Sequence, residues 1–208
     1  GFSLLGYVLG GVKKMDILKE DTIAAIATPF GTGGTGKIRI SGPEAYQIGD
    51  KIFNSVKEGK ILSSQETYTA HYGHIKDPAS GKIIDEVVAI MMKRPHSFTG
   101  ENVLEFDCHG GMTPLRAVLE LSLKYGARLA EPGEFSQRAF LNGRIDLAQA
   151  EAIIEVINSK TEKSLDLAVD QLNGKLSKKV DQIKEEAVEI LAHLEAAIDY
   201  PEDEIEGF

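Results

Sequence analysis

Around Pro132–Asp146 (PGEFSQRAFLNGRID) the sequence changes regime. Upstream, Gly and Pro punctuate short apolar runs; downstream, the pattern is helical almost to the end. Strand-length apolar runs need turn residues between them, whereas apolar residues recurring every three or four positions build one face of a helix. The chain is therefore expected to fold as an α+β domain, a mixed sheet with hairpins and few βαβ repeats, followed by long helices. The junction itself predicts a short helix. Phe135, Ala139, Phe140 and Leu141 form its apolar stripe, and Glu134 and Arg138 stand at i, i+4 as an ion pair. Asn142 and Gly143 tolerate the left-handed conformation and cap it, which delivers Arg144 just past the cap on fixed backbone.

Taken in order, residues 22–28 read as a short buried strand and 37–41 (KIRIS) alternate strictly. Ile38 and Ile40 then face the core and Arg39 the other side. Ser41 and Glu44 predict a capping box that opens a helix over residues 43–53. Residues 54–67 look like a polar surface loop. Residues 68–76 and 83–92 form a hairpin about the turn Asp77-Pro78-Ala79-Ser80-Gly81. Residues 103–108 (VLEFDC) make a strand with Leu104 and Phe106 on one face and Val103, Glu105 and Asp107 on the other. A helix over 113–124 and a short strand over 127–130 lead into the junction.

Beyond the junction, Asp146 with Gln149 caps a helix to about Ile157, and Ser159 with Glu162 predicts a second capping box. From that box to Ile198, with an apolar repeat from Leu165 on, the pattern reads as one helix of about 38 residues, about 57 Å long, with Gly174 tolerated at roughly 1 kcal/mol. Such a stripe exceeds what the preceding domain can cover and predicts more chain or a second subunit against it. The acidic run 200–208 reads as a linker, so the sequence is expected to be part of a longer protein.

A net charge of -9 argues against a broad electrostatic grip on nucleic acid by this chain alone. The single cysteine, Cys108, excludes an internal disulfide and a multi-cysteine zinc site, and fits a reducing compartment. No apolar run reaches the roughly 20 residues that span a bilayer. The leader, residues 1–14 (GFSLLGYVLGGVKK), has its lysines after the apolar part, the wrong order for a signal peptide. It is read as an upstream extension, with Met15 as the start.

Gly31-Thr32-Gly33-Gly34-Thr35-Gly36-Lys37 satisfies a dinucleotide pattern and most of a phosphate-loop pattern. Both need a helix next, with its N-terminus towards the phosphates, and the phosphate loop needs Ser or Thr where Ile38 stands. An alternating strand follows instead, so nucleotide binding there is kept only as an alternative. His71 and His74 fall on opposite faces of a strand, and Cys108-His109 lacks ligand spacing, so no metal site is expected. Glu105, Asp107, His109 and Glu134 could carry protons, but no spacing pairs any of them with an orienting group, and no catalytic residue is assigned. The better constellation is Arg39, Glu105 and Arg144. Each could be a solvated outward residue; together they could line a cleft for a guanidine-like ring edge and an acidic tail.

Several runs of the sequence resemble one family. They are Thr28-Pro29 with the Gly-rich loop and Lys37-Ile38-Arg39-Ile40-Ser41-Gly42; Ser97-Phe98-Thr99-Gly100-Glu101 with Val103-Leu104-Glu105; and His109-Gly110-Gly111. Three more are Pro132 to Asn142, Asp146 to Ala152, and Glu195-Ala196-Ala197-Ile198-Asp199. From about Asp21 to the end, this series is similar to the tRNA-modification GTPase family MnmE, also called TrmE.

The resemblance implies a folate-binding, dimerising domain over residues 15–142, like the folate domain of the glycine-cleavage T-protein, and the first part of a helical domain over 143–208. It implies 5-formyl- or 5,10-methylene-tetrahydrofolate as cofactor, with contacts carried over to Arg39, Glu105 and Arg144. In the full-length protein it implies GTP, magnesium and potassium. An FAD-containing partner subunit and tRNA are the implied partners, with carbon 5 of the wobble uridine as the target, a cytoplasmic location and no membrane. The family's phosphate loop, guanine-specificity motif and Cys-containing tail have no counterpart in these 208 residues, so this chain is not expected to hydrolyse GTP by itself. The other alternative is an assembly module that binds no ligand.

Overall fold

A computed structural model describes residues 21–29 and 31–199, in two compact units that divide after Arg144. The readings made above for residues 1–14, Met15 and 200–208 lie outside the described residues.

The first unit is α+β. Seven strands are described: β1 (Ile23–Ile26), β2 (Thr35–Ser41), β3 (Phe53–Ser55), β4 (Thr69–Lys76), β5 (Ile83–Met92), β6 (Val103–His109) and β7 (Arg128–Leu129). They form one sheet in the order β3-β4-β5-β6-β2-β1-β7. Every pairing is antiparallel except β1 with β7, so the sheet is mixed. The predicted hairpin is β4–β5, closed through the Asp77 turn, where Gly81 N–H donates to the Asp77 carbonyl.

Alternation decides the two faces. Ile38, Ile40, Leu104, Phe106, Cys108, Val87, Ala89 and Met91 point to one side, where α1 (Ala45–Ile52) and α2 (Met112–Lys124) cover them. Ile48 and Ile52 of α1 and Leu115 and Val118 of α2 complete that core. Each fully buried large aliphatic side chain contributes on the order of 1.5–3 kcal/mol. The opposite face keeps Lys37, Arg39, Glu105 and Asp107 together, because β2 pairs β6 in the register Lys37 with Asp107 and Arg39 with Glu105.

Two local expectations in this unit are corrected. Glu44 caps α1 without any side-chain bond, because the Ser41 hydroxyl is already engaged, 2.7 Å from both Thr99 Oγ1 and Glu101 Oε2. Residues 54–67 are not all polar loop: β3 extends the sheet to Ser55, and a single 3₁₀ turn (Leu62–Ser64) buries Leu62. The junction helix, α3 (Glu134–Leu141), ends as predicted, with Asn142 as its cap and Gly143 at φ +70°.

The second unit contains α4 (Leu147–Asn158), α5 (Glu162–Leu172) and α6 (Lys175–Asp199). Asp146 and Gln149 make the expected capping box. The second box is displaced to Thr161 and Ser164, because the Ser159 hydroxyl instead donates to Glu155 O at 2.7 Å on the last turn of α4. The single long helix does not form. Gly174, at φ +77°, donates its N–H to Gln171 O and ends α5, and α6 starts afresh. Helices α4 and α5 run antiparallel, with Gln149 Nε2 donating to Leu172 O at 2.8 Å and Gln171 Nε2 to Ala148 O at 3.0 Å. Helix α6 buries no residue, and Leu176, Val180, Ile183, Leu191, Leu194 and Ile198 are each more than half exposed.

Candidate functional site

The polar face of β2 and β6 carries a closed set of charges. Arg39 Nε donates to Glu105 Oε1 at 2.6 Å, and Lys37 Nζ donates to Glu105 Oε2 at 2.7 Å. Lys37 also lies 3.1 Å from Asp107 Oδ1. Glu105 is 6% exposed, so these are bonds in poor solvent and stronger than surface pairs. Burial alone would raise its carboxyl; the ammonium and the guanidinium outweigh that and hold it below the usual carboxylate range. Burial likewise disfavours the Lys37 ammonium, and its bonds to Glu105 and Asp107 reverse the effect and raise its pKa.

Arg39 is held on two further sides. Its guanidinium lies 5.7 Å from the ring centre of Phe98 and 5.7 Å from that of Phe135, within cation–π range of both. Because Arg39 reaches Glu105 through Nε, its two terminal nitrogens make no hydrogen bond among the described residues. An arginine so fixed offers a planar pair of donors to a ligand beside a buried carboxylate.

The two phenylalanines come from separate elements, and a buried ionic network ties these together. Arg138 on α3, 7% exposed, bonds Glu134 at 3.0 Å, Asp21 at 2.5 Å and Glu101 at 3.2 Å. Arg128 on β7 joins Glu134 at 2.6 Å and Asp21 at 2.7 Å. Asn142 Nδ2 donates to Thr99 O at 2.7 Å, and Thr99 Oγ1 meets Ser41. The loop that carries Phe98 and the helix that carries Phe135 are thus braced against each other and against β2. Glu134 would be raised by burial, but Arg128, the Glu131 N–H and Arg138 bring it down to about 2.

Sequence reasoning placed Glu134 beside Arg138 and found Arg39 and Glu105, yet missed Lys37 as a partner of Glu105 and gave Asp21, Glu101 and Arg128 no part in the site. Cross-strand register could have found Lys37: it faces Asp107, the next pair on the same face as Arg39 and Glu105. Arg144, the third proposed site residue, makes no hydrogen bond or ion pair with Arg39 or Glu105. Its backbone N–H donates to Ala139 O at 2.8 Å, as the cap requires, but its side chain is exposed and makes no bond among the described residues.

With this geometry in view, the comparisons with known proteins are specific. Residues 22–144 match the family profile described as "GTP-binding protein TrmE N-terminus", and residues 147–208 match "MnmE helical domain". The chain belongs to the MnmE (TrmE) family. It is 54% identical over 188 residues to the tRNA modification GTPase MnmE of Acetivibrio thermocellus. It is 54% identical over 187 residues to that of Alkaliphilus oremlandii, and 53% over 187 residues to that of Bacillus subtilis strain 168. These alignments cover 89–90% of the chain but 40% of each relative, so the chain spans about two fifths of the length of the curated relatives it matches.

Within this MnmE-family chain the Gly-rich loop leads into β2, as the alternation implied, and Lys37 is committed to two carboxylates. The loop packs closely on the end of β6: Gly33 N–H donates to Gly110 O, and a Cβ on Gly110 would stand 2.4 Å from Gly33 O. The fold also supplies an orienting group that no spacing revealed. Asp85 on β5 accepts from the His109 backbone N–H at 2.9 Å and lies 2.6 Å from His109 Nδ1. That bond raises the imidazole pKa. Cys108 is inert as a nucleophile, because burial, with Asp85 and Asp107 adding to it, pushes its thiol up to about 12. Among the described residues no group of three or more His, Cys, Asp or Glu could hold a metal, and no helix is long and apolar enough to cross a membrane.

Proposed function

We propose that this chain is the folate-binding and dimerising portion of a tRNA-modifying GTPase, with residues 15–142 as the binding domain and 143–208 as the start of its helical domain. The observation that carries the reading is the buried Glu105 beside Arg39, with the Phe98 and Phe135 rings each 5.7 Å from the guanidinium. The residues present fit 5-formyl- or 5,10-methylene-tetrahydrofolate. A pterin edge offers parallel N–H donors, which suit a buried carboxylate; its carbonyl suits the free guanidinium nitrogens; its flat ring suits the flanking phenylalanines. Arg144, exposed just beyond a rigid cap, is placed in this reading as the cation for the acidic tail.

When bound, the folate supplies the one-carbon group; the chain's own residues bind and orient it. Glu105 fixes the ring edge, Arg39 its carbonyl, and the Arg138 network holds the walls in place. The relatives' printed name, tRNA modification GTPase, extends the reading to the longer protein. There we place GTP hydrolysis with magnesium and potassium, an FAD-containing partner subunit, tRNA modified at carbon 5 of the wobble uridine, and a cytoplasmic setting. The uncovered face of α6 supports a helical domain completed by further chain.

Calorimetric titration of the 208-residue chain with 5-formyltetrahydrofolate tests the reading. Saturable binding is expected, weakened about 10- to 100-fold in Glu105→Gln, the range set by a charge-assisted hydrogen bond of ~1.5–3 kcal/mol. Binding that ignores this substitution, or no binding by a folded chain, would overturn it.

A further inference from the structure

The Glu105 carboxylate is the group on which the proposed ligand edge would sit, and both of its oxygens are already taken: Oε1 by Arg39 and Oε2 by Lys37. A guanidine-like edge binds a carboxylate with two parallel N–H donors and so needs both oxygens. Each carboxylate oxygen has two lone pairs, so Oε1 can serve Arg39 Nε and a ligand together. Oε2 has the same capacity, but its partner, the Lys37 ammonium 2.7 Å away, sits on a flexible stem and is the one a ligand could displace.

Of the two cations, only one has somewhere else to go. Arg39 is flanked by Phe98 and Phe135, each 5.7 Å from its guanidinium carbon. Lys37 is held by nothing comparable, and its ammonium already lies 3.1 Å from Asp107, a second carboxylate that no other cation pairs with among the described residues. Lys37 also faces Asp107 directly in the β2–β6 register. Moving the ammonium from Glu105 to Asp107 needs only side-chain rotation, keeps the four charges balanced and frees Oε2.

We infer that Lys37 is an internal competitor for the ligand edge: it holds Glu105 Oε2 in the ligand-free chain and passes to Asp107 when a guanidine-like ring edge docks. This inference rests on the folate reading above and adds to it a residue that sets affinity without touching the ligand. Lys37 acts here as a placeholder, keeping a buried carboxylate neutralised until the ligand arrives and weakening binding by the strength of the bond that must be given up. Asp107 is the alternative seat, and its removal should leave Lys37 fixed on Glu105.

The test is a calorimetric titration of the 208-residue wild-type chain, Lys37→Met, Asp107→Asn and the double variant with 5-formyltetrahydrofolate at one pH. Lys37→Met is expected to bind about two- to fivefold tighter than wild type, the scale of a partly exposed ion pair. Asp107→Asn should bind more weakly by a similar factor, and the double variant should match Lys37→Met alone, because Asp107 matters only while Lys37 is present. A merely structural Lys37 would weaken binding when removed. Thermal melts check that each variant folds, and Lys37→Gln, with the same expected direction, replaces the Met variant if that one does not. Wild-type binding that both Lys37 variants leave unchanged or weaken overturns this inference alone. No binding by any folded variant, Lys37→Met included, overturns the folate reading and this inference with it.

Discussion

Glu134 and Arg138 stand one turn apart on α3 with Oε1 and Nη2 separated by 3.0 Å, and both side chains are more than nine-tenths buried. Arg138 is shared by three acidic side chains, Asp21, Glu101 and Glu134, drawn from widely separated parts of the sequence. Removing it leaves Glu101 without its cation and leaves Asp21 and the buried Glu134 to Arg128 alone. Arg138→Met is therefore expected to cost ~3 kcal/mol or more in urea unfolding, with Arg138→Lys recovering only part because a single ammonium cannot reproduce the guanidinium's bonds. A loss below ~1 kcal/mol would show that the network is incidental to the fold.

Acid should loosen the first unit in a defined window. Glu134, Asp21 and Glu105 all have folded-state pKa values below their ordinary ones, Glu134 at about 2. A depressed carboxylate contributes stability that is complete above the unfolded value, near 4, and is lost as pH falls towards the folded value. The stability these carboxylates contribute should therefore be nearly flat from pH 7 to 5 and drop between about pH 4.5 and 2. Glu134→Gln should make that drop shallower; an unchanged acid limb in this variant would count against the network as its source.

How much of this was legible before the fold was known divides along clear physical lines. Period-2 alternation put Ile38, Ile40, Leu104 and Phe106 in the core and Arg39 and Glu105 on the opposite face, and both assignments hold, because side-chain direction in a strand is local. The ends of α3 and α4 were legible because Asn142-Gly143 and Asp146 act on their own neighbours. What failed depended on competition between distant partners. The Ser41 hydroxyl went to Thr99 and Glu101, so it did not cap α1; the Ser159 hydroxyl went back to α4. Asp21, Glu101 and Arg128 gave no local signal, since their partners lie 6 to 117 residues away. At the site, β-register joined Arg39 to Glu105, whereas Arg144 was judged by its place after a cap, which fixes its backbone but not what its side chain meets.

His109 offers a check on side-chain geometry in solution. Its bond to Asp85 raises its pKa, so the imidazole should titrate above the ordinary value near 6.5 in an NMR pH series. The stability it contributes is complete below the unfolded value and is lost as pH rises through the folded one. In Asp85→Asn the titration should move back down, with Glu86 left as a nearby acid. A His109 that titrates identically in both proteins would contradict the 2.6 Å contact.

Gly174 should be costly to replace. At φ +77° it ends α5, and an L-residue there pays for the left-handed conformation. Gly174→Ala is expected to destabilise the α5–α6 connection by ~1 kcal/mol, read as faster amide exchange at residues 171–178 with the β-sheet amides unaffected. Unchanged or slower exchange there would mean that the helix runs through residue 174.

The central claim is that Glu105 and Arg39, with Phe98 and Phe135 around them, form a folate site. A crystal structure of this chain with 5-formyltetrahydrofolate tests it most directly. The account predicts the pterin edge on Glu105, its ring beside the two phenylalanines, and Lys37 withdrawn to Asp107. Folate bound elsewhere, with Glu105 still holding both Arg39 and Lys37, would contradict it.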